Sequence, residues 1–135
     1  MSSDSITLSI PQSPPFHGVA RLVVGGLAAR LDLSYEHLED LQLALASVLE
    51  NDDYLVEPSV TVRLSVEAGS VGMEIGPVQP RLRADLEPGG DAEDGLPIRR
   101  LLSTLVDEIA LEGEGGEEWL RLEKHVPTRK PEARG

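Results

Sequence analysis

The sequence predicts a two-layer α/β sandwich of the α+β class, a mixed β-sheet with helices on one face, in the order β-α-α-β-β-α-β. Three observations predict it. Leu38, Leu41, Leu45 and Val48, with Leu49 beside them, recur at helical spacing across 34–51. Residues 59–76 alternate apolar and polar side chains on two arms around Ala68-Gly69-Ser70, the pattern of a hairpin. Strands and helices do not alternate regularly, which favours helices gathered on one side of a sheet.

Residues 5–10 place Ile6, Leu8 and Ile10 on one face and read as the first strand. The PQSPP stretch ends it. Ser13 before Pro14 suits a helix start, since proline fits the first helical position. Val19, Leu22, Val23, Gly26 and Leu27 form that helix's stripe. Gly25 and Gly26 each weaken a helix by about 1 kcal/mol relative to Ala, so close packing is expected at both. In the next helix Ser34 is the expected N-cap, and Glu36 sits where the helix dipole favours an anion. Asp40, Ser47 and Asn51 lie roughly opposite its apolar stripe, as a wall that could face a pocket.

In the hairpin, Val60, Val62, Leu64 and Val66 alternate with Thr61, Arg63, Ser65 and Glu67, and Val71, Met73 and Ile75 return. Residues 77–94 read as a loop, with a short helical turn over 82–86. Pro97 opens a third helix whose buried face is marked by Ile98, Leu101, Leu102, Leu105 and Ile109. Residues 113–116 read as a flexible turn, and 119–124 as the last strand, with Leu120 and Leu122 on one face. One domain is expected over 5–126. Residues 1–4 and 127–135 are expected to be disordered.

At 135 residues the chain can bury a real core, and with aromatics at 3% that core must be aliphatic. A net charge of −12 argues against nucleic acid and anionic membranes and permits a basic protein partner. The absence of cysteine excludes disulfides, thiolate zinc sites and thiol nucleophiles. No signal pattern or membrane-length apolar run is present, so a cytoplasmic protein is expected.

The chain has no GxxxxGK[ST] and no HExxH. His17, His37 and His125 are isolated and read as surface or boundary residues. The clusters Glu50-Asp52-Asp53 and Asp91-Glu93-Asp94 lack the loop spacing of a calcium site and read as solvated charge. Ser47 has no His or Lys near it in sequence to activate it as a nucleophile. Composition and spacing therefore leave a two-layer domain without a visible catalytic set.

Two stretches carry a family resemblance: ITLSIP followed by VARLVVGGLAARLDLSYEHLEDLQLALASVLEN, and GLPIRRLLSTLVDEIALEGEGGEEWLRLEKHV. The chain resembles the anti-sigma-factor serine kinases of bacterial partner-switching systems, within the histidine-kinase-like (GHKL) ATPase superfamily. The resemblance implies that fold, a sigma factor or anti-sigma antagonist as partner, and pairing of two copies. It also implies an ATP and magnesium site. Carried over by position, the family asparagine that reaches magnesium and phosphates falls on Asn51. The family general base falls on Ser47, and a serine cannot accept a proton at neutral pH as a carboxylate can. Of the adenine-reading Asp-x-Gly-x-Gly motif, Glu74 stands for the aspartate and Gly76 for the first glycine, while the second is missing. The later glycine turn begins at Gly95, with Pro97 where a phosphate-facing N–H is needed. Arg21 takes the place of the partner-facing arginine. On the residues alone, Asn51 reads equally as a helix C-terminal cap and Arg21 as a solvated side chain.

The expectation is therefore a regulatory protein-binding domain with its nucleotide and kinase motifs largely eroded and no cofactor. The alternative is an active ATP-dependent serine kinase acting on an anti-sigma antagonist, with Glu50 as a displaced base. Glu50 sits one position from Asn51, about 100° around the helix, which disfavours that role.

Overall fold

The computed structural model describes residues 4–87 and 97–127. The elements are β1 (Asp4–Pro11), α1 (Pro14–Leu31), α2 (Tyr35–Leu49), a 3-10 turn (Asp52–Tyr54), β2 (Ser59–Glu67), β3 (Ser70–Val78), α3 (Pro80–Leu86), α4 (Ile98–Leu105), β4 (Glu108–Glu114) and β5 (Glu117–His125). Residues 1–3 and 128–135, expected to be disordered, and Gly95 lie outside the described residues, whereas Asp4 already belongs to β1.

The strands form one sheet in the order β1-β2-β3-β5-β4. Every pairing is antiparallel, which corrects the expectation of a mixed sheet. The reason lies in the connections. The helices α1 and α2 run out and back, so β2 enters the sheet at the end where β1 left it. β4 runs in the same direction as β3, both antiparallel to β5, and the β4–β5 hairpin inserts β5 between β3 and β4.

One face of the sheet is apolar and lies under the helices. Val60, Val62, Leu64 and Val66 of β2, Val71, Met73 and Ile75 of β3, and Leu120 and Leu122 of β5 are all buried there. Leu41, Leu45, Val48 and Leu49 of α2 and Val24, Leu27 and Leu31 of α1 complete this aliphatic core. Such burial is the main stabilising contribution, at about 25 cal/mol per Å² of apolar surface. The Ser34 hydroxyl caps α2 by accepting from the His37 amide at 3.2 Å. The first helix ends at Asp32, whose φ of 61° is one that Asp tolerates better than most residues.

Two local expectations are corrected. The helix predicted to run through Ile109 stops at Leu105, because Val106 takes an extended conformation and Ile109 pairs with Leu122 in β4. Close packing does not account for Gly25 and Gly26. A Cβ on Gly25 would meet only the Gln42 side chain at 3.5 Å, and one on Gly26 would meet nothing within 4 Å.

Candidate functional site at the C-terminal end of α2

Ser47 lies in the last turn of α2, and Asn51 follows its C-cap Glu50. The Ser47 hydroxyl donates to the Ala44 carbonyl at 2.8 Å, folding back on its own helix. Asn51 lies beyond the helix cap Glu50 and is itself the N-cap of the 3-10 turn, its Oδ1 accepting from the Asp53 amide at 3.0 Å. The same region is tied to the start of α1 by Gln12, whose amide nitrogen donates to the Leu49 carbonyl and to Asp52 Oδ1, each at 3.2 Å. Among the described residues no group of three or more His, Asp or Glu side chains is placed to hold a metal ion.

The 3-10 turn that follows α2 packs against α3, a helix the sequence showed only as a possible turn. Its Leu82 and Leu86 are buried, as are Tyr54 and Leu55 of the preceding segment. The Tyr54 hydroxyl donates to Asp85 at 2.8 Å, and Arg81 Nε donates to the same carboxylate at 3.1 Å. Burial, followed by the bond to Asp85, holds the Tyr54 phenol well above its ordinary range. The other end of α3 is held by Arg99, which donates to the Leu86 carbonyl at 2.9 Å, and by the Arg83–Glu118 pair, which lowers the Glu118 carboxyl. An open groove of about 340 Å³ remains between Asp52 and Asp53 on one side and Gln79, Pro80 and Arg81 on the other. Two of its five lining residues are carboxylates, so a polyphosphate would meet negative charge there.

Glu74 and Gly76 stand elsewhere. They lie on the sheet face away from the helices. Glu74 accepts from Arg63 at 3.4 Å. Gly76 lies beneath the Trp119 ring, where a Cβ would come within 2.5 Å of the indole. Arg63 lies over the same ring, its guanidinium carbon 4.5 Å from the centroid. Ser47 and Asn51 thus stand at the C-terminal end of α2, while Glu74 and Gly76 lie on the other face of the sheet. Arg21 is exposed on α1, and its carbonyl accepts from Gln42 at 3.0 Å. His17, expected at the surface or boundary, is buried, while His125 is exposed and lies 3.3 Å from Glu108.

Sequence reasoning missed Tyr54, Asp85 and Arg81. The one available signal was the i, i+4 spacing of Arg81 and Asp85.

Comparison with known proteins places this geometry in a lineage. The serine-protein kinase RsbW of Listeria monocytogenes serotype 4a is 32% identical over 133 residues, spanning 80% of this chain and 79% of the relative. The chain belongs to the RsbW family of anti-sigma-factor serine kinases. The RsbW of Bacillus velezensis is 29% identical over 136 residues, spanning 85% of this chain and 82% of its own. The crystal structure of the RsbU and RsbW domains of Rv1364c from Mycobacterium tuberculosis superposes with a TM-score of 0.66 at 16% identity. It covers 93% of this chain, which spans only 32% of that longer one, and shows that the RsbW fold is shared. No protein-family model matches the chain. No helix among the described residues is long and apolar enough to cross a membrane.

Proposed function

We propose that this RsbW relative acts by capturing a protein partner, a sigma factor or an anti-sigma antagonist, and not by phosphoryl transfer. The observation that carries the reading is Ser47. The position taken by the family's general base holds a hydroxyl, and that hydroxyl is bonded to the Ala44 carbonyl. A general base needs a group that can take a proton near neutral pH. Three further features support the same reading. Asn51 spends its side-chain oxygen on a local cap. Glu74 faces away from α2, paired with Arg63. Pro97, at the start of α4, offers no N–H to a phosphate. The exposed Arg21 on α1 then serves partner recognition, and the acidic surface suits a basic DNA-binding protein.

The second reading, an active serine kinase, is favoured by one finding: the relatives at about a third identity are named serine-protein kinases. The two separate cleanly. In the partner-capture reading the purified chain binds a cognate sigma factor without nucleotide, and Arg21→Ala weakens that binding. It transfers no phosphate from magnesium-ATP to the antagonist. Phosphoserine on the antagonist that depends on this chain and on ATP would establish the kinase instead.

A further inference from the structure

The chain leaves β4 at the rim of the sheet. In the order β1-β2-β3-β5-β4 one side of β4 is paired with β5, and among the described residues no strand pairs with its other side. A seven-residue edge of this kind holds backbone N–H and C=O groups that a further strand can take.

The two faces of β4 differ. Ile109 and Leu111 lie opposite Leu122 and Leu120 and pack against the core, yet both stay only partly buried. Glu108, Ala110 and Glu112 alternate with them and are exposed on the face away from the helices. The surroundings carry the same sign: six of the twelve residues 107–118 are Asp or Glu, and none is Lys or Arg. Two cations reach this face from β5. His125 Nε2 lies 3.3 Å from Glu108, and Arg121 lies 3.6 Å from Glu112. The Glu108 and Glu112 side chains remain 62% and 49% exposed, so these contacts are weak and each carboxylate has room for a second cation.

Charge alone would describe a solvated surface. Here three features share one edge: an unpaired backbone, a half-covered apolar pair and, alternating with that pair, two exposed carboxylates. We propose that the β4 edge is a docking site for an extended segment of another protein in which Lys or Arg alternates with Val, Ile or Leu. The segment's backbone continues the sheet beyond β4. Its alternation sends apolar side chains to the side of Ile109 and Leu111 and cations to the side of Glu108 and Glu112, where cross-strand neighbours lie about 5 Å apart. Other occupants fit badly. An apolar strand leaves the two carboxylates desolvated without a counter-charge. A second copy of β4, paired antiparallel about Ala110, sets Glu108 of each copy against Glu112 of the other, and like charges directly opposite are destabilising. The carboxylates therefore keep like strands off this edge and admit basic ones.

The test uses the full chain and a synthetic peptide of alternating Lys and Val, as long as β4. Anisotropy of the labelled peptide reads its affinity, and hydrogen exchange reads its place. The peptide should bind saturably and protect the β4 amides, while those of β1, at the other edge of the sheet, stay unchanged. A peptide of the same composition with its lysines and valines in two blocks should bind about tenfold more weakly, because it cannot match both faces of β4 at once. Glu108→Lys combined with Glu112→Lys should lose the Lys/Val peptide and accept one that alternates Glu and Val. Glu108→Gln with Glu112→Gln keeps the side-chain shape and should weaken the Lys/Val peptide by about tenfold, which keeps the test sound if the lysine variant misfolds. No saturable binding to the unmodified chain overturns the proposal. So do equal affinities for the alternating and the blocked peptide, protection confined to β1, or binding unmoved by either pair of substitutions. Capture of a sigma factor is untouched by any of these results, and a chain that takes the peptide but no sigma factor refutes that capture alone.

Discussion

Lys124 Nζ lies 3.1 Å from Asp40 Oδ2 and 2.8 Å from the Leu105 carbonyl, so one buried cation joins β5, α2 and the end of α4. Lys124 is 9% exposed, and few lysines are tolerated so deep without partners. The carbonyl at a helix C-terminus is a favourable partner for a cation. The Asp40 side chain is about a third exposed, at 32%, which moderates the strength of the pair. Asp40→Ala should therefore cost about 2 kcal/mol, below the roughly 3–5 kcal/mol of a fully buried pair. Lys124→Met should cost less than that, because it removes the buried charge itself. Urea unfolding of both variants and the double variant measures the coupling.

Gly76 is explained by Trp119. Gly76→Ala puts a methyl group within 2.5 Å of the indole ring, so the ring or the strand must shift. Overpacking of this kind costs about 1–3 kcal/mol. The chain has a single tryptophan, so its fluorescence reports the displacement directly. A spectrum and an unfolding midpoint both unchanged by Gly76→Ala would show that the ring has room.

Gly26→Ala should do the opposite. The position is helical and exposed, with nothing within 4 Å of an added Cβ. Removing the glycine should stabilise the domain by up to about 1 kcal/mol. Thermal unfolding checks the sign.

Much of the fold was legible in the sequence because its apolar spacing is regular. The α2 stripe, the Ser34 cap and the β2–β3 alternation each follow from local rules. The β4 strand was hidden because Ile98, Leu101, Leu102, Leu105 and Ile109 continue a helical period across the true boundary at Val106. Only pairing with β5 decides that Ile109 and Leu111 belong to a strand. Strand direction was hidden too, since it depends on where connections re-enter the sheet. At the site, helical spacing sufficed to put Ser47 and Asn51 at the same end of α2. It could not place Glu74, because the side of a two-faced strand that meets α2 is set by packing.

The Tyr54–Asp85 contact makes alkaline stability testable. The folded phenol titrates above its ordinary value of 10.0, so its neutral form is favoured by folding. That contribution is complete below the unfolded pKa and fades as pH rises through the folded one. Stability of the wild type should thus fall as pH climbs above 10.0. Tyr54→Phe should lack this part of the decline and cost about 1 kcal/mol at neutral pH, the worth of one hydrogen bond. Identical slopes above that pH in both proteins would assign the decline to other groups.

The proposed loss of nucleotide chemistry is tested most directly by the thermal midpoint of the chain with sub-millimolar magnesium-ATP or magnesium-ADP. Any ligand of the native state must raise it. With Ser47 turned to Ala44, Asn51 engaged as a cap and α3 packed on the 3-10 turn that follows, no shift is expected, and Ser47→Glu should neither create one nor produce turnover. A saturable rise in the midpoint with either nucleotide, in the unmodified chain, would contradict this and return the protein to the active kinases.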